Sequence, residues 1–218
     1  MALRLPVVVS VTFLALSSSF AVQAQTSAVP GDAKRGHALS YTCNGCHGIP
    51  NYKNVYPTYS VPKLRGQRPE YLVAALKAYK SGERSHGTMH SQASSMTEKD
   101  MADIAVYLAG DAVLTKSESN PDIKAGQGRP KASEACVACH GTNGVGITAD
   151  YPTLAGQHRD YIQRALSDYK KGGRKNPIMG GQVAALTAED IEQLAAYYSS
   201  QTPSLDIIEV KHFFFSSN

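Results

Sequence analysis

The sequence of 218 residues lacks several features that would assign a function at once. Its formal net charge is only +4, from 22 Lys and Arg against 18 Asp and Glu. This charge is too small and too dispersed for a dedicated nucleic-acid-binding protein, which would concentrate basic residues on one face. A hydrophobic share of 42% with 18% charged residues excludes disorder as the main state. The length admits one or two domains.

Two hydrophobic patterns are also missing. No segment alternates apolar and polar residues over a stretch that would predict a β-sheet. After residue 24, no apolar run approaches the ~20 residues that a membrane-spanning helix requires. We therefore expect an all-α fold. Cysteine is scarce as well, but the four cysteines fall in two pairs with identical spacing.

Residues 1–24 have the pattern of a secretory signal peptide. One basic residue, Arg4, precedes an apolar stretch from Leu5 to Leu16, and the segment closes on small residues at Val22 and Ala24. This arrangement is typical of a signal peptide with its cleavage site. The alternative is an uncleaved membrane anchor, which needs a longer apolar core than this serine-interrupted one. The sequence therefore predicts an exported protein from which residues 1–24 are cleaved.

The remainder of the chain contains one unit twice. The segment CNGCHG at 43–48 corresponds to CVACHG at 136–141, and a P-x-L-x-G-Q segment follows each, at 62–67 and 152–157. Further matched residues follow downstream: Tyr71 and Tyr161, Tyr79 and Tyr169, Gly82 and Gly172, Arg84 and Arg174, Met89 and Met179. A polar, proline-containing stretch within residues 112–124 resembles a linker. We expect a first domain over residues 25–115 and a second over 116–218, which includes a C-terminal tail at 207–218.

Each unit is expected to be mostly helical. A short helix should precede each cysteine pair, over Asp32–Tyr41 in the first unit and roughly Pro130–Ala135 in the second. The middle helix of the first unit should begin at Pro69 and end before Gly82, which are favoured start and stop residues. The last helix of each unit follows a threonine with an aspartate three residues on, which resembles a capping box: Thr97 with Asp100, and Thr187 with Asp190.

The Cys-x-x-Cys-His spacing is the signature of c-type haem attachment. Two thiols three residues apart can form thioethers with the two vinyl groups of one haem, and the adjacent histidine can then coordinate the iron. The sequence thus predicts two covalently bound haem c groups, attached at Cys43 and Cys46 and at Cys136 and Cys139. A zinc site is the first alternative, but its cysteine pairs normally lie within ~15–20 residues of each other. Disulfides are the second, but they give no reason for the matched histidines.

The candidate axial ligands are a histidine and a methionine in each unit. His47 and His140 follow the cysteine pairs directly. Met179 is the one methionine of the second unit, and the repeat alignment selects Met89 in the first, each in a loop before the last helix. His86 and His90 flank Met89 and are the competing donors; a bis-His haem would have a lower potential than a His/Met haem.

The matched prolines suggest partners for these histidines. Pro62 and Pro152 could each supply a backbone carbonyl that fixes the ligating ring; the alternative is an ordinary turn proline. The matched tyrosines are expected in the core or the haem wall. Basic residues near the first-unit loops could steer an acidic partner or form an ordinary solvated face: Lys53, Lys63, Arg65 and Arg68.

The chain resembles the dihaem cytochrome c4 family. The resemblance rests on the two Cys-x-x-Cys-His-Gly segments, each followed by P-x-L-x-G-Q, Y-K-x-G-x-R and a methionine, and it spans residues 31–201. It implies two tandem class I cytochrome c domains about an approximate twofold axis, with His47, Met89, His140 and Met179 at the ligand positions. One departure is that the segment around Met89 lacks the counterpart of Gly181.

The resemblance implies an electron-transfer protein rather than an enzyme. It would carry single electrons in the periplasm between a respiratory donor, a bc-type complex or dehydrogenase, and a terminal oxidase. The alternatives are a haem subunit of a dehydrogenase complex and a dihaem enzyme such as a peroxidase. The tail, with Phe213 to Phe215, could dock on a partner or the membrane surface, but we expect it to pack onto the second domain.

Overall fold

The computed structural model describes residues 30–111, 114 and 130–208. The predicted signal peptide, most of the predicted linker and the three tail phenylalanines lie outside these residues. The described part contains helices and isolated bridges but no β-strand, in agreement with the expected all-α fold. The helices are α1 Ala33–Leu39, α2 Tyr41–His47, α3 Pro69–Ser81, α4 Gly87–Ser94, α5 Glu98–Ala109, a 3₁₀ turn Lys131–Ser133, α6 Glu134–His140, α7 Arg159–Lys171, α8 Pro177–Val183 and α9 Ala188–Ser199.

The middle helix of the first half begins and ends where the sequence predicts. Pro69 is the first residue of α3, where its missing N–H costs nothing, and Gly82 ends the helix with φ 79°. Gly172 ends α7 with φ 77°. A residue with a side chain would be strained in this left-handed conformation, so a glycine is favoured at both positions.

The last helix of each half begins with a complete capping box. The Thr97 hydroxyl accepts from the Asp100 amide while the Asp100 carboxylate accepts from the Thr97 amide. Thr187 and Asp190 repeat this arrangement at the start of α9. Each box satisfies two backbone donors that the helix itself leaves without a partner.

Three local predictions need correction. The helix expected over Pro130–Ala135 is a 3₁₀ turn that leads directly into α6. Met89 and Met179 lie in short helices, α4 and α8, rather than in loops. These segments carry too little apolar periodicity to predict a helix, but a polar side chain caps each of them.

Each half packs around its own hydrophobic core. In the first half, α3 and α5 contribute the buried residues Leu72, Leu76, Tyr79, Met101, Ile104, Ala105 and Leu108. In the second half, α7 and α9 contribute Ile162, Leu194, Ala195, Tyr197 and Tyr198. Tyr79 is therefore a core residue, as expected. Among the described helices, none is both long enough and apolar enough to cross a membrane.

The two halves are joined by reciprocal hydrogen bonds from matched glutamines. The side chain of Gln67 donates to the Thr153 carbonyl at 3.0 Å and accepts from its amide at 2.8 Å. Gln157 holds the backbone of Lys63 in the same way, at 2.9 and 3.0 Å. Because Lys63 and Thr153 are equivalent in the repeat, these contacts are related by an approximate twofold.

The basic residues named for steering mostly face the other half. The Lys63 ammonium donates to the Gly156 carbonyl at 2.8 Å, and the Arg68 guanidinium donates to the Gly146 carbonyl at 2.6 Å. Lys53 lies 3.7 Å from Asp160. These side chains therefore hold the two halves together, and a purely solvated face is the wrong description of them.

The start of the tail packs against the first half, not the second as expected. Asp206 and Arg65 exchange two backbone hydrogen bonds, both of 3.0 Å. Ile208 is 3% exposed and belongs to the hydrophobic core of the first half. The chain thus returns from the second repeat to complete the core of the first.

Candidate haem-binding sites

The first Cys-x-x-Cys-His motif lies in α2. Cys43 and Cys46 are one helical turn apart, and His47 is the last residue of the helix. The Nδ1 atom of His47 lies 2.9 Å from the carbonyl oxygen of Pro62. This contact fixes the ring and leaves Nε2 as the nitrogen that could bind a metal.

The second motif repeats this geometry in α6. Cys136 and Cys139 are again one turn apart, and His140 ends the helix. The Nδ1 atom of His140 lies 2.9 Å from the carbonyl oxygen of Pro152. The predicted hydrogen bonds from both histidines to the matched prolines are thus confirmed.

Both histidines are held in the neutral form that ligates metals. Desolvation lowers the pKa of His47 and that of His140, and it outweighs the opposing effect of the proline carbonyl in each case. A proton that is lost easily leaves a nitrogen lone pair available for a metal.

The four cysteines are free thiols, each partly buried. Burial raises the pKa of Cys43 and that of Cys136, so they remain protonated in neutral solution. Since the chain has only these four cysteines, none is consumed by a disulfide. All four thiols are available for covalent attachment.

Met89 is the third residue of α4, and a side chain holds its backbone in place. His86, the N-cap, accepts a hydrogen bond from the Met89 amide on its Nδ1 atom at 3.2 Å. Met89 itself packs, together with Cys43, against the first hydrophobic core.

Met179 is likewise the third residue of α8. Asn176, the N-cap, accepts from the Met179 amide on its side-chain oxygen at 2.9 Å. Asn176 and His86 are equivalent in the repeat, so the two methionines share one backbone arrangement.

The competing histidines near Met89 have other partners. The Nε2 atom of His86 lies 3.1 Å from the Asn54 side-chain oxygen, so both of its ring nitrogens are engaged. The Nδ1 atom of His90 lies 2.8 Å from the carbonyl oxygen of Tyr79. These contacts favour Met89 over both histidines as a ligand.

The donor set in each half fits a covalent haem. It offers two thiols one helical turn apart, a neutral imidazole with one nitrogen already bonded, and a thioether on a capped helix. A zinc cluster fits less well, because the described residues contain no group of three or more His, Cys, Asp and Glu side chains placed to hold a metal ion.

Sequence reasoning missed several residues around these sites. The capping role of His86 and the paired contacts of Gln67 and Gln157 were not predicted. The glutamine recurs at the end of both P-x-L-x-G-Q segments, and this repetition is the sequence feature that could have indicated the paired contacts. Arg84 and Arg174 also repeat, and the structure buries both where the halves meet.

Comparison with known proteins places the chain in a family. The cytochrome c family model matches residues 33–110 and 127–202, one segment in each half. Two such units and two Cys-x-x-Cys-His motifs correspond to two covalently attached haem c groups, one in each half.

Individual relatives agree with this assignment. Cytochrome c4 of Pseudomonas aeruginosa is 33% identical over 183 residues, which cover 77% of this chain and 87% of the relative. The crystal structure of reduced cytochrome c4 from Pseudomonas stutzeri superposes with a TM-score of 0.59 and 28% identity, covering 78% of this chain and 99% of that one. The thiosulfate dehydrogenase electron acceptor of Stutzerimonas stutzeri is 30% identical, covering 72% of this chain and 78% of the relative.

The cytochrome c4 relatives are electron-transfer proteins and not enzymes. With the tandem helical halves and the repeated haem motifs, these comparisons show that the chain belongs to the cytochrome c4 family of dihaem electron-transfer proteins.

Proposed function

We propose that this protein is a periplasmic carrier of single electrons whose two haem irons are each bound by one histidine and one methionine. His47 and Met89 would coordinate the first haem, and His140 and Met179 the second. Cys43 and Cys46 would attach the first haem, and Cys136 and Cys139 the second.

One observation carries the proposal. In both halves a histidine that ends a helix is bonded through Nδ1 to a proline carbonyl, and a methionine amide is bonded to the N-cap of a second short helix. The same backbone arrangement occurs twice although the intervening sequences differ. Such a repetition is expected if each half must present one imidazole and one thioether to the same kind of metal centre.

This arrangement suits outer-sphere electron transfer. A bound haem supplies an iron that cycles between the ferrous and ferric states. The proline carbonyls keep the imidazoles in one orientation, and the methionine thioethers raise the potential relative to bis-His ligation. If His47 with Met89, and His140 with Met179, hold the two irons, neither iron would have a position left for a substrate such as peroxide.

Substitution of the methionines tests the ligand assignment. Class I cytochromes with a ferric Met–Fe bond show a weak far-red absorption band. We expect Met89→Ala and Met179→Ala each to remove the contribution of one haem to this band, and the double variant to remove all of it. Met96→Leu is the matched control, since Leu186 occupies the equivalent position in the second half. Retention of the full band in Met89→Ala or Met179→Ala would refute the corresponding ligand.

The cellular setting is part of the same proposal. Residues 1–24 would be removed on export, and residues 25–115 and 116–218 would form the two haem domains. Electrons would pass from a bc-type complex or a dehydrogenase to a terminal oxidase. The mass of the protein isolated from the periplasmic fraction tests the cleavage, and the rate of oxidation by native membranes tests the acceptor.

A second candidate is a dedicated electron acceptor of one dehydrogenase. The similarity to a thiosulfate dehydrogenase electron acceptor favours it. Rapid reduction by thiosulfate plus thiosulfate dehydrogenase, together with slow reduction by quinol plus the bc-type complex, would support this candidate. The opposite order of rates would support the general carrier.

A further inference from the structure

The loop between the first Cys-x-x-Cys-His motif and Pro62 exposes an apolar tip. Val55 and Tyr56 are 90% and 95% exposed, and Ile49 and Tyr52 of the same segment are 43% and 42% exposed. Single exposed apolar side chains are common on protein surfaces, but clustered apolar surface marks an interaction site. Four such side chains in one short loop therefore need a reason. We call residues 49–61 the first-half loop.

Haem attachment does not explain these side chains. The second half holds its histidine against Pro152 in the same way with a segment that is three residues shorter, residues 142–151. That segment exposes one large apolar side chain, Ile147, and it has Thr142 at the position of Ile49. The apolar tip is thus an addition of the first half, separate from the features that the two haem motifs share.

The first-half loop is held in one conformation from its base. Tyr59 is buried, and its carbonyl accepts a hydrogen bond from the Asn54 amide at 2.9 Å. Ser60 is also buried, and it donates from its amide and its hydroxyl to the Asp160 carboxylate of the second half, at 3.0 and 2.9 Å. Because the base is fixed, the tip is presented without a further ordering cost on binding.

The base of the loop is connected to both proposed ligands of the first haem. The Asn54 side-chain oxygen lies 3.1 Å from the Nε2 atom of His86, which caps the helix of Met89. At the other end, the Pro62 carbonyl that follows the loop bonds to His47. Since the tip directly follows Asn54 in the chain, a protein bound there lies beside the first haem site.

The charge of this region indicates the kind of partner. Residues 33–69 contain no Asp or Glu and six basic residues: Lys34, Arg35, Lys53, Lys63, Arg65 and Arg68. Arg35 and Lys53 pair with carboxylates of other segments, which leaves four basic residues in excess. The equivalent residues 126–159 carry three basic and two acidic residues. A positive surface attracts a partner whose contact face carries carboxylates.

We propose that the tip of the first-half loop docks a redox protein whose contact face is apolar and bordered by carboxylates, and that this partner exchanges electrons with the first haem. This rests on the electron-carrier function proposed above. Val55 and Tyr56 form the centre of the contact, where a few residues, often aromatic, carry most of the binding energy. Two side chains on a preformed loop give a small interface, which suits the weak encounters of electron-transfer proteins.

Cross-linking from the tip identifies the occupant directly. Tyr56 of the holoprotein is replaced by the photoreactive residue p-benzoylphenylalanine, and the protein is illuminated with native membranes and with the periplasmic fraction. We expect a cross-link to a protein that carries haem, copper or flavin, at a peptide rich in Asp and Glu. The same replacement at Gln193, on the exposed face of α9, is the control and should not give this product. A cross-link to lipid, to a second copy of the chain or to a protein without a redox cofactor, or no cross-link at all, would overturn the proposal.

Kinetics with the same partner test the role of the two side chains. Val55→Ser combined with Tyr56→Ser should lower the second-order rate constant for electron exchange with the cross-linked partner by about tenfold. The midpoint potentials and the haem content should not change, because both side chains are exposed. Ile147→Ser, the matched change in the second half, should leave this rate constant unaltered. Equal rate constants for the double variant and the unaltered protein would overturn the docking site.

Two further outcomes separate the possible failures. High salt should slow electron exchange with this partner, since it screens the attraction between exposed charges; a rate constant independent of salt would overturn the acidic character of the partner. If the unaltered holoprotein exchanges electrons with no membrane or periplasmic protein, the electron-carrier function fails and the docking site with it. If it does exchange electrons and the double variant is equally fast, the docking site alone fails.

Discussion

The side-chain amide of Gln67 spans the boundary between the halves and binds both backbone polar groups of Thr153, at 2.8 and 3.0 Å. Gln157 does the same for Lys63. The pairing satisfies buried backbone donors and acceptors that neither half can satisfy alone. It therefore fixes the two haem-bearing halves in one relative position, which electron exchange between them requires.

Removal of this contact should weaken the whole molecule. Gln67 is 3% exposed, so Gln67→Ala leaves the amide and carbonyl of Thr153 buried without partners. At ~1 kcal/mol per lost hydrogen bond, and more for groups left unsatisfied, we expect a loss of about 2–4 kcal/mol in the free energy of unfolding. Chemical denaturation of the holoprotein measures it. Gln193→Ala, on the exposed face of α9, is the control, and equal stability of the two variants would contradict the role of Gln67.

Substitution of Ile208, near the start of the C-terminal tail, should destabilise the first half and leave the second half largely unchanged. Ile208→Ala removes a buried side chain from the first hydrophobic core, although Ile208 follows the second repeat in sequence. Substitutions of this kind cost about 2–5 kcal/mol. Hydrogen exchange should accelerate in α3 and α5 and change little in α7 and α9. The reverse pattern would show that the tail supports the second half.

Val55→Ala is the matched surface control for that experiment. Val55 is 90% exposed, so its substitution should change stability by less than ~0.5 kcal/mol. Exchange rates in α3 and α5 should remain those of the unaltered protein.

The N-caps of α4 and α8 should control how firmly each methionine is held. His86→Ala removes the acceptor of the Met89 amide, and the loss of such a cap costs about 1 kcal/mol. We expect imidazole added to the ferric protein to displace the first-haem methionine at a lower concentration. His86→Asn installs the residue that the second half uses and should restore the original concentration. If His86→Ala and the unaltered protein respond alike, the cap does not position the methionine.

Acid should weaken the first half before the second. Asp103 has a fully buried side chain and accepts from the Asp32 amide, Arg35 and Lys99; these contacts hold the pKa of its carboxyl well below the usual range. Asp100 accepts from Thr97 and Arg35, and its pKa is lowered to about 2.

The sign of the pH effect follows from these shifts. A carboxyl whose pKa is depressed in the folded state contributes stability above its unfolded pKa of ~3.9, and this contribution is lost as the pH falls through the folded value. We expect the melting temperature of the first half to fall between about pH 4 and pH 2. Asp103→Asn should flatten this dependence, since Gln193 at the equivalent position of the second half already lacks the charge. An unchanged slope in Asp103→Asn would contradict the assignment.

The sequence predicted the parts of this molecule that depend on local signals. The start and stop residues Pro69 and Gly82 located α3, the capping box located the start of α5, and the internal repeat paired Met89 with Met179. The contact of His47 with Pro62 was predicted as well, because a ligating histidine needs a partner for its second nitrogen and the proline is matched in both halves.

Features that depend on long-range packing were not predictable in this way. Gln67 and Thr153 are far apart in sequence, and nothing in a single unit shows that the P-x-L-x-G-Q segments face each other. The tail was expected to pack onto the second half, but Ile208 packs in the core of the first half. The position of a terminal segment in the sequence does not show which core it joins. The helices α4 and α8 escaped prediction since they are short and stabilised by their caps rather than by an apolar face.

A potentiometric titration of the mature holoprotein, followed by haem absorption, tests whether the chain carries two electrons on two haems that each have a histidine and a methionine ligand. We expect two one-electron steps per chain, with the far-red methionine band present in the oxidised protein at both haems. A single step with one electron per chain, or an oxidised protein without that band, would contradict it.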